Sequence, residues 1–165
     1  MPRPVPDTPR PGQESVWDYP RPPRVERVRR RATIELGGVR IAETTDLVRV
    51  LETSHPPVYY LPFGAFAPGV LRAAAGSSFC EFKGRAVYHD VVSGELVRPA
   101  AAWSYPAPPP EYADLVGRVA VYAGPMDACT IDGEVVTPQP GGFYGGWVTA
   151  DIAGPIKGVP GSMGW

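Results

Sequence analysis

Glu52-Thr53-Ser54-His55-Pro56-Pro57-Val58-Tyr59-Tyr60 is the densest run of groups able to move or hold protons. Imidazole titrates near neutral pH, so His55 suits general acid or base work, with Glu52 placed to orient or charge it. Tyr59 and Tyr60 add hydrogen-bond donors, and Pro56-Pro57 stiffens the loop that would pre-position these groups. The competing explanation is a rigid turn in which His55 caps a strand end. Lys83 is the second candidate. The chain holds 16 Lys and Arg together, and among them only Lys83 and Lys157 are lysines. A lysine kept where composition favours arginine suggests a compact cation in a confined site, or an amine that is neutral at the working pH. The alternative is an ordinary surface strand position. Its neighbour Gly84 would let a ligand approach the backbone closely.

Other chemistries are less well supported. The four soft metal ligands are His55, Cys80, His89 and Cys129, and none falls in a CxxC or HxxxH knuckle, so no metal and no cofactor is expected. There is no GxxxxGK[ST] or GxGxxG phosphate loop and no GxSxG elbow. Gly141-Gly142-Phe143-Tyr144-Gly145-Gly146 is glycine-rich, but its interposed aromatics suggest an anchored turn. A nucleotidyltransferase would want a Gly-Ser pair and, about a dozen residues on, two carboxylates for magnesium. Gly76-Ser77 and Asp90-Val91-Val92 have that spacing without the second carboxylate.

The elements that must position these groups are mostly strands. Ala32, Ile34 and Leu36 alternate with polar residues, and Val39 and Ile41 resume the pattern after Gly37-Gly38, which predicts a tight hairpin. Asp46–Leu51, Val58–Leu61, Glu95–Trp103, Val119–Tyr122 and Cys129–Ile131 also suit strands, and Asp132-Gly133 predicts a second hairpin. Pro68 before GVLRAAA predicts a short helix to about Ala75, and Glu111–Val116 a second. Phe79–Val92 alternates as one strand. Cys80, Phe82, Gly84, Ala86 and Tyr88 take one face; Glu81, Lys83, Arg85, Val87 and His89 take the other, away from Cys80.

Pro (22) and Gly (19) are too frequent for long helices, yet 44% of the residues are hydrophobic, enough for a core. Residues 1–23 are proline-rich and extended, with Trp17 and Tyr19 able to dock as a strap. Residues 24–136 form the β core, and 137–165 a glycine- and aromatic-rich C-terminal strap. The five arginines in Arg24–Arg31 suit a solvated strand edge. A net charge of −1 gives no general pull toward nucleic acid or anionic membrane. No apolar run is long enough to span a membrane, and no signal peptide begins the chain, so a cytoplasmic protein with reduced Cys80 and Cys129 is expected.

Three separated motifs, Ser54–Tyr60, Cys80–Tyr88 and Ala102–Pro106, resemble domain-of-unknown-function family 427 over roughly residues 32–131. The SVWDYPRPP head and PQPGGFYGGW tail look like the longer form of that family. The resemblance implies a β-tent (Mss4-like) fold of two antiparallel sheets, as in methionine sulfoxide reductase B. The zinc knuckles common in that group are absent, so zinc does not carry over. The family has been labelled nucleotidyltransferase-like, and the carboxylate pair this needs is missing here. Glu52, His55, Tyr60, Lys83, Gly84, Tyr88 and Trp103 match the family's recurring motif residues. The expected architecture is therefore mainly β, two antiparallel sheets with one or two short helices and terminal straps. The expected function is binding of a small anionic ligand in a pocket walled by Tyr59, Tyr60, Cys80, Gly84, Tyr88, Trp103 and Tyr105. One alternative is a metal-independent enzyme using His55, Glu52 and Lys83; another is a homodimeric interaction protein.

Overall fold

Fifteen strands make up the regular framework of the computed structural model, which describes residues 3–165. They are β1 (Glu14–Ser15), β2 (Arg24–Val28), β3 (Ala32–Leu36), β4 (Val39–Thr44), β5 (Leu47–Leu51), β6 (Val58–Pro62), β7 (Leu71–Cys80) and β8 (Gly84–Ser93). After these come β9 (Leu96–Ser104), β10 (Arg118–Val121), β11 (Ala128–Ile131), β12 (Glu134–Val135), β13 (Thr137–Pro138), β14 (Trp147–Val148) and β15 (Ile152–Ala153). A seven-stranded antiparallel sheet runs β2-β5-β6-β10-β9-β8-β7, and a four-stranded antiparallel sheet runs β12-β11-β3-β4. The helical content is three 3-10 segments, at 16–18, 63–65 and 110–115. No helix among the described residues is long and apolar enough to cross a membrane.

Local chemistry explains both predicted hairpins. Gly37 and Gly38 sit at φ +66° and +73° between β3 and β4, and Asp132 and Gly133 at +50° and +84° between β11 and β12. Two successive left-handed residues match the twist of the flanking strands. The main core lies between the two sheets. It takes Ile34, Leu36, Ile41, Cys129 and Ile131 from the small sheet, and Leu47, Tyr59, Leu61, Val119 and Val121 from the large one. The opposite face of the large sheet is also covered, because Tyr112 and Leu115 of the 110–115 segment pack on Val48, Val50, Tyr60 and Ala120.

Two expectations are corrected. Residues 68–75 are not a helix: after a turn at Gly69 (φ +79°), Leu71 begins β7, which pairs with β8. Alanine favours helix locally, but pairing with β8 on both sides of the run, at 71–73 and 77–80, overrides that preference. Nor is 79–92 one strand. Cys80 pairs with Gly84, and residues 81–83 form the turn between β7 and β8, with Gly84 at φ +90° supplying the left-handed step.

The head docks as a strap. Glu14 and Ser15 pair in parallel with Ile152 and Ala153, and Trp17 Nε1–H donates to Pro155 O at 2.9 Å. Residues 16–18 turn instead of extending, so that Val16, Trp17 and Tyr19 all pack with Leu51 and Ile152. Arg49 binds Glu14 and Glu26 together, tying head and edge strand to β5. The tail is ordered by Trp147, which is fully buried and donates its indole N–H to Val121 O at 3.0 Å. The arginine-rich strand β2 is indeed an edge of the large sheet.

Candidate functional site

The loop 52–57 joins β5 to β6 and carries Glu52 and His55. Ser54 holds φ +74°, which turns the chain sharply, while the His55 N–H donates to Glu52 O at 3.0 Å. The strained residue is held on both sides: Ser54 N–H donates to Val16 O, and Lys157 N–H donates to Ser54 O. Head and tail thus converge on the loop that carries the histidine.

The His55 ring is nearly enclosed, and Gln139 determines its tautomer. The Gln139 Oε1 accepts the Gly146 N–H at 3.1 Å, so its Nε2 is the donor, to Lys157 O at 2.9 Å and to His55 Nδ1 at 3.0 Å. His55 Nδ1 is therefore an acceptor, and the ring proton sits on Nε2, 3.9 Å from Glu52 Oε2. Tyr144 packs its edge against the imidazole with centroids 4.7 Å apart. Burial, then the positive charges of Lys157, Arg21 and Lys83, push the His55 pKa down to about 4. At neutral pH this side chain is an uncharged N–H donor whose other nitrogen is already occupied.

Around His55 the charge is unbalanced. Glu52 meets Arg21 at 3.4 Å, whereas Lys157 Nζ lies 5.5 Å from the Tyr144 ring centroid and donates to the Trp165 main-chain oxygen at 3.1 Å. Lys83 Nζ stands 5.6 Å from the Tyr105 ring centroid. It is half-buried and, among the described residues, has no carboxylate partner. Because 81–83 is a turn, Lys83 does not obey strand alternation, and its ammonium lies over Tyr105, which shares a cluster with Cys80.

That face brings together most of the expected wall. Tyr60, Cys80, Tyr88, Trp103 and Tyr105 form one cluster with Tyr122 and Phe82. Tyr60 meets Trp103 edge-on at 6.5 Å and Tyr105 at 6.4 Å, and Trp103 meets Tyr122 at 4.6 Å. The Tyr88 hydroxyl bonds Ser78 Oγ at 2.7 Å. Burial raises the phenols of Tyr60, Tyr105 and Tyr122, which stay neutral. Two expected wall residues are elsewhere. Tyr59 alternates to the inter-sheet core, against Trp147 at 5.8 Å, with its hydroxyl accepting from Arg30 at 3.3 Å. Gly84 has Ala107 O and Pro109 beside it, so the chain's own loop takes the space a ligand would use. The soft ligands are spread out: Cys129 lies in the inter-sheet core, and His89 Nε2 bonds Ser104 Oγ at 2.9 Å. No group of three or more His, Cys, Asp or Glu close enough for a metal ion occurs among the described residues.

Sequence reasoning missed Gln139, Tyr122, Tyr144, Lys157 and Arg21, which come from the head, the tail and the end of β10. The glycines of 141–146 were the available signal. A Cβ on Gly145 would lie 2.0 Å from the Trp103 ring, and one on Gly146 would lie 2.5 Å from Pro56 and 2.7 Å from Gln139 Oε1. Glycine is there because the tail backbone lies directly on the aromatic wall and on the histidine loop. Where the tail crosses β9 and β10 it leaves a cleft of about 380 Å³, with Tyr122, Gln139, Tyr144 and Gly145 among its lining residues.

Two antiparallel sheets enclosing one core, with an aromatic and cationic face closed by terminal straps, define a β-tent-like domain. Residues 24–132 match the family model described as Domain of unknown function (DUF427), which carries the label NTP_transf_9, and the chain belongs to that family. The match ends before the tail that supplies Gln139 and Tyr144. Comparison with curated proteins finds no match.

Proposed function

We propose that the protein is a binding module for a small ligand that joins an anionic group to a planar or apolar body. The observation that carries this is Lys83, a half-buried ammonium over Tyr105 with no ion-pair partner among the described residues. An uncompensated cation over Tyr105, on the face that also carries the half-buried Tyr88 and Tyr122, suits a carboxylate or phosphate whose body stacks on those partly exposed rings. His55 adds a neutral N–H donor, and its fixed tautomer supports binding over the general-base role, which needs a free ring nitrogen.

The test pairs native mass spectrometry of the freshly purified protein with calorimetric titration of benzoate and of its neutral isostere benzamide. Benzoate should bind about tenfold or more tightly than benzamide, as a charge-assisted hydrogen bond predicts. Lys83→Met should erase that preference while leaving the melting temperature unchanged. Equal binding of both probes, or a preference that survives Lys83→Met, refutes the assignment.

A further inference from the structure

The two ends of the large sheet are finished differently. Strand β2 carries Arg24, Glu26 and Arg27, and Arg27 is paired with Asp114 of the 110–115 segment. In the small sheet, β4 carries Arg40 and Glu43 and is bridged at Ala42 to Phe66, while β12 is only two residues long. These are the devices that keep edges from pairing. Strand β7 has neither charge nor cover along its middle, and its one such device is the bulge between Ala73 and Ser77. The strand is ten residues long, and Ala73-Ala74-Ala75-Gly76-Ser77-Ser78-Phe79 carries no charge. Its backbone bonds go to β8, and among the described residues none goes to any other element. Phe79 is 78% exposed on this edge.

The ends of the strand are complementary to each other. Arg72 stands near the start of β7 and Glu81 just past its end. Both are exposed, and neither makes an ion pair among the described residues. A register slip between Ala73 and Ser77 splits the strand into two paired segments, 71–73 and 77–80. We infer that β7 is a homodimer edge, on which a second copy of this chain adds antiparallel to continue the sheet across a two-fold axis. In that arrangement 71–73 of one copy lies along 78–80 of the other, and the two bulges meet at the axis. Arg72 then lies beside the partner's Glu81, twice per dimer. Phe79 lies opposite the partner's Arg72 and, on the same face, diagonal to the partner's Ala74.

The experiment is sedimentation velocity with multi-angle light scattering on the full chain across a concentration series. It compares wild type, Arg72→Glu, Glu81→Arg and the double variant, with melting temperature as the folding control. Wild type should show a concentration-dependent dimer. Each single variant should weaken it about tenfold, because like charges meet at both ends, and the double variant should restore it. A wild type that stays monomeric throughout, a dimer indifferent to both single changes, or a double variant that fails to recover would each overturn the inference.

Discussion

Substituting His55 with asparagine tests whether the tail holds an uncharged imidazole in place. Folding lowers the His55 pKa from 6.5 to about 4, through burial first and then the charges of Lys157, Arg21 and Lys83. Above pH 6.5 neither folded nor unfolded chain carries the proton, and the group contributes no slope. As the pH falls below 6.5 the unfolded chain takes up a proton that the folded chain refuses, so stability drops until the folded ring itself titrates near 4. From that difference the loss is about 2 kcal/mol at pH 5 and about 3 kcal/mol at pH 4. The assay is urea denaturation of wild type and His55→Asn at matched pH values from 7.5 to 4. Carboxylates titrate in both proteins, so the difference between the two curves isolates the histidine. It should shift in favour of the variant by about those amounts as the pH falls. Nitrogen NMR of the wild-type ring should also place the proton on Nε2. Parallel stability curves, or a proton on Nδ1, would refute the hydrogen-bond chain through Gln139.

Two further outcomes check other parts of the structure. Gly145→Ala places a methyl group 2.0 Å from the Trp103 ring, so it should cost about 3 kcal/mol of stability and red-shift tryptophan emission as the tail lifts. Unchanged denaturation and fluorescence would mean that the tail does not lie on the wall. Cys129 is buried in the inter-sheet core with its thiol pushed up to about 12, whereas Cys80 is partly exposed. Ellman's reagent should therefore titrate one thiol in the native protein and a second only on denaturation; prompt reaction of both native thiols would contradict the packing of the small sheet against the large one.

Much of the scaffold was legible in the residues because it is decided locally. Period-two alternation identifies β3 and β4 whatever they pair with, since one face must be apolar to be buried, and bounding prolines mark β6. Gly37-Gly38 and Asp132-Gly133 specify their hairpins through backbone conformations that few other pairs adopt. His55 and Lys83 were recognisable as chemically exceptional by type and neighbours alone, whereas Trp103 and Tyr105 stood out only through the motif that resembles the family. What tertiary structure decided is everything that depends on a distant partner. Ala73-Ala74-Ala75 reads as helix until β8 pairs with the residues on both sides of the bulge at 74–76. Tyr59 and Tyr60 are equivalent in sequence until the second sheet claims one of them. His55 is an ordinary imidazole until Gln139, 84 residues away, donates to Nδ1 and fixes the proton on the other nitrogen. Alternation and turn chemistry act over a few residues, so the sequence carries them on its face. Burial, tautomer and charge balance arise from groups that only the folded chain brings together.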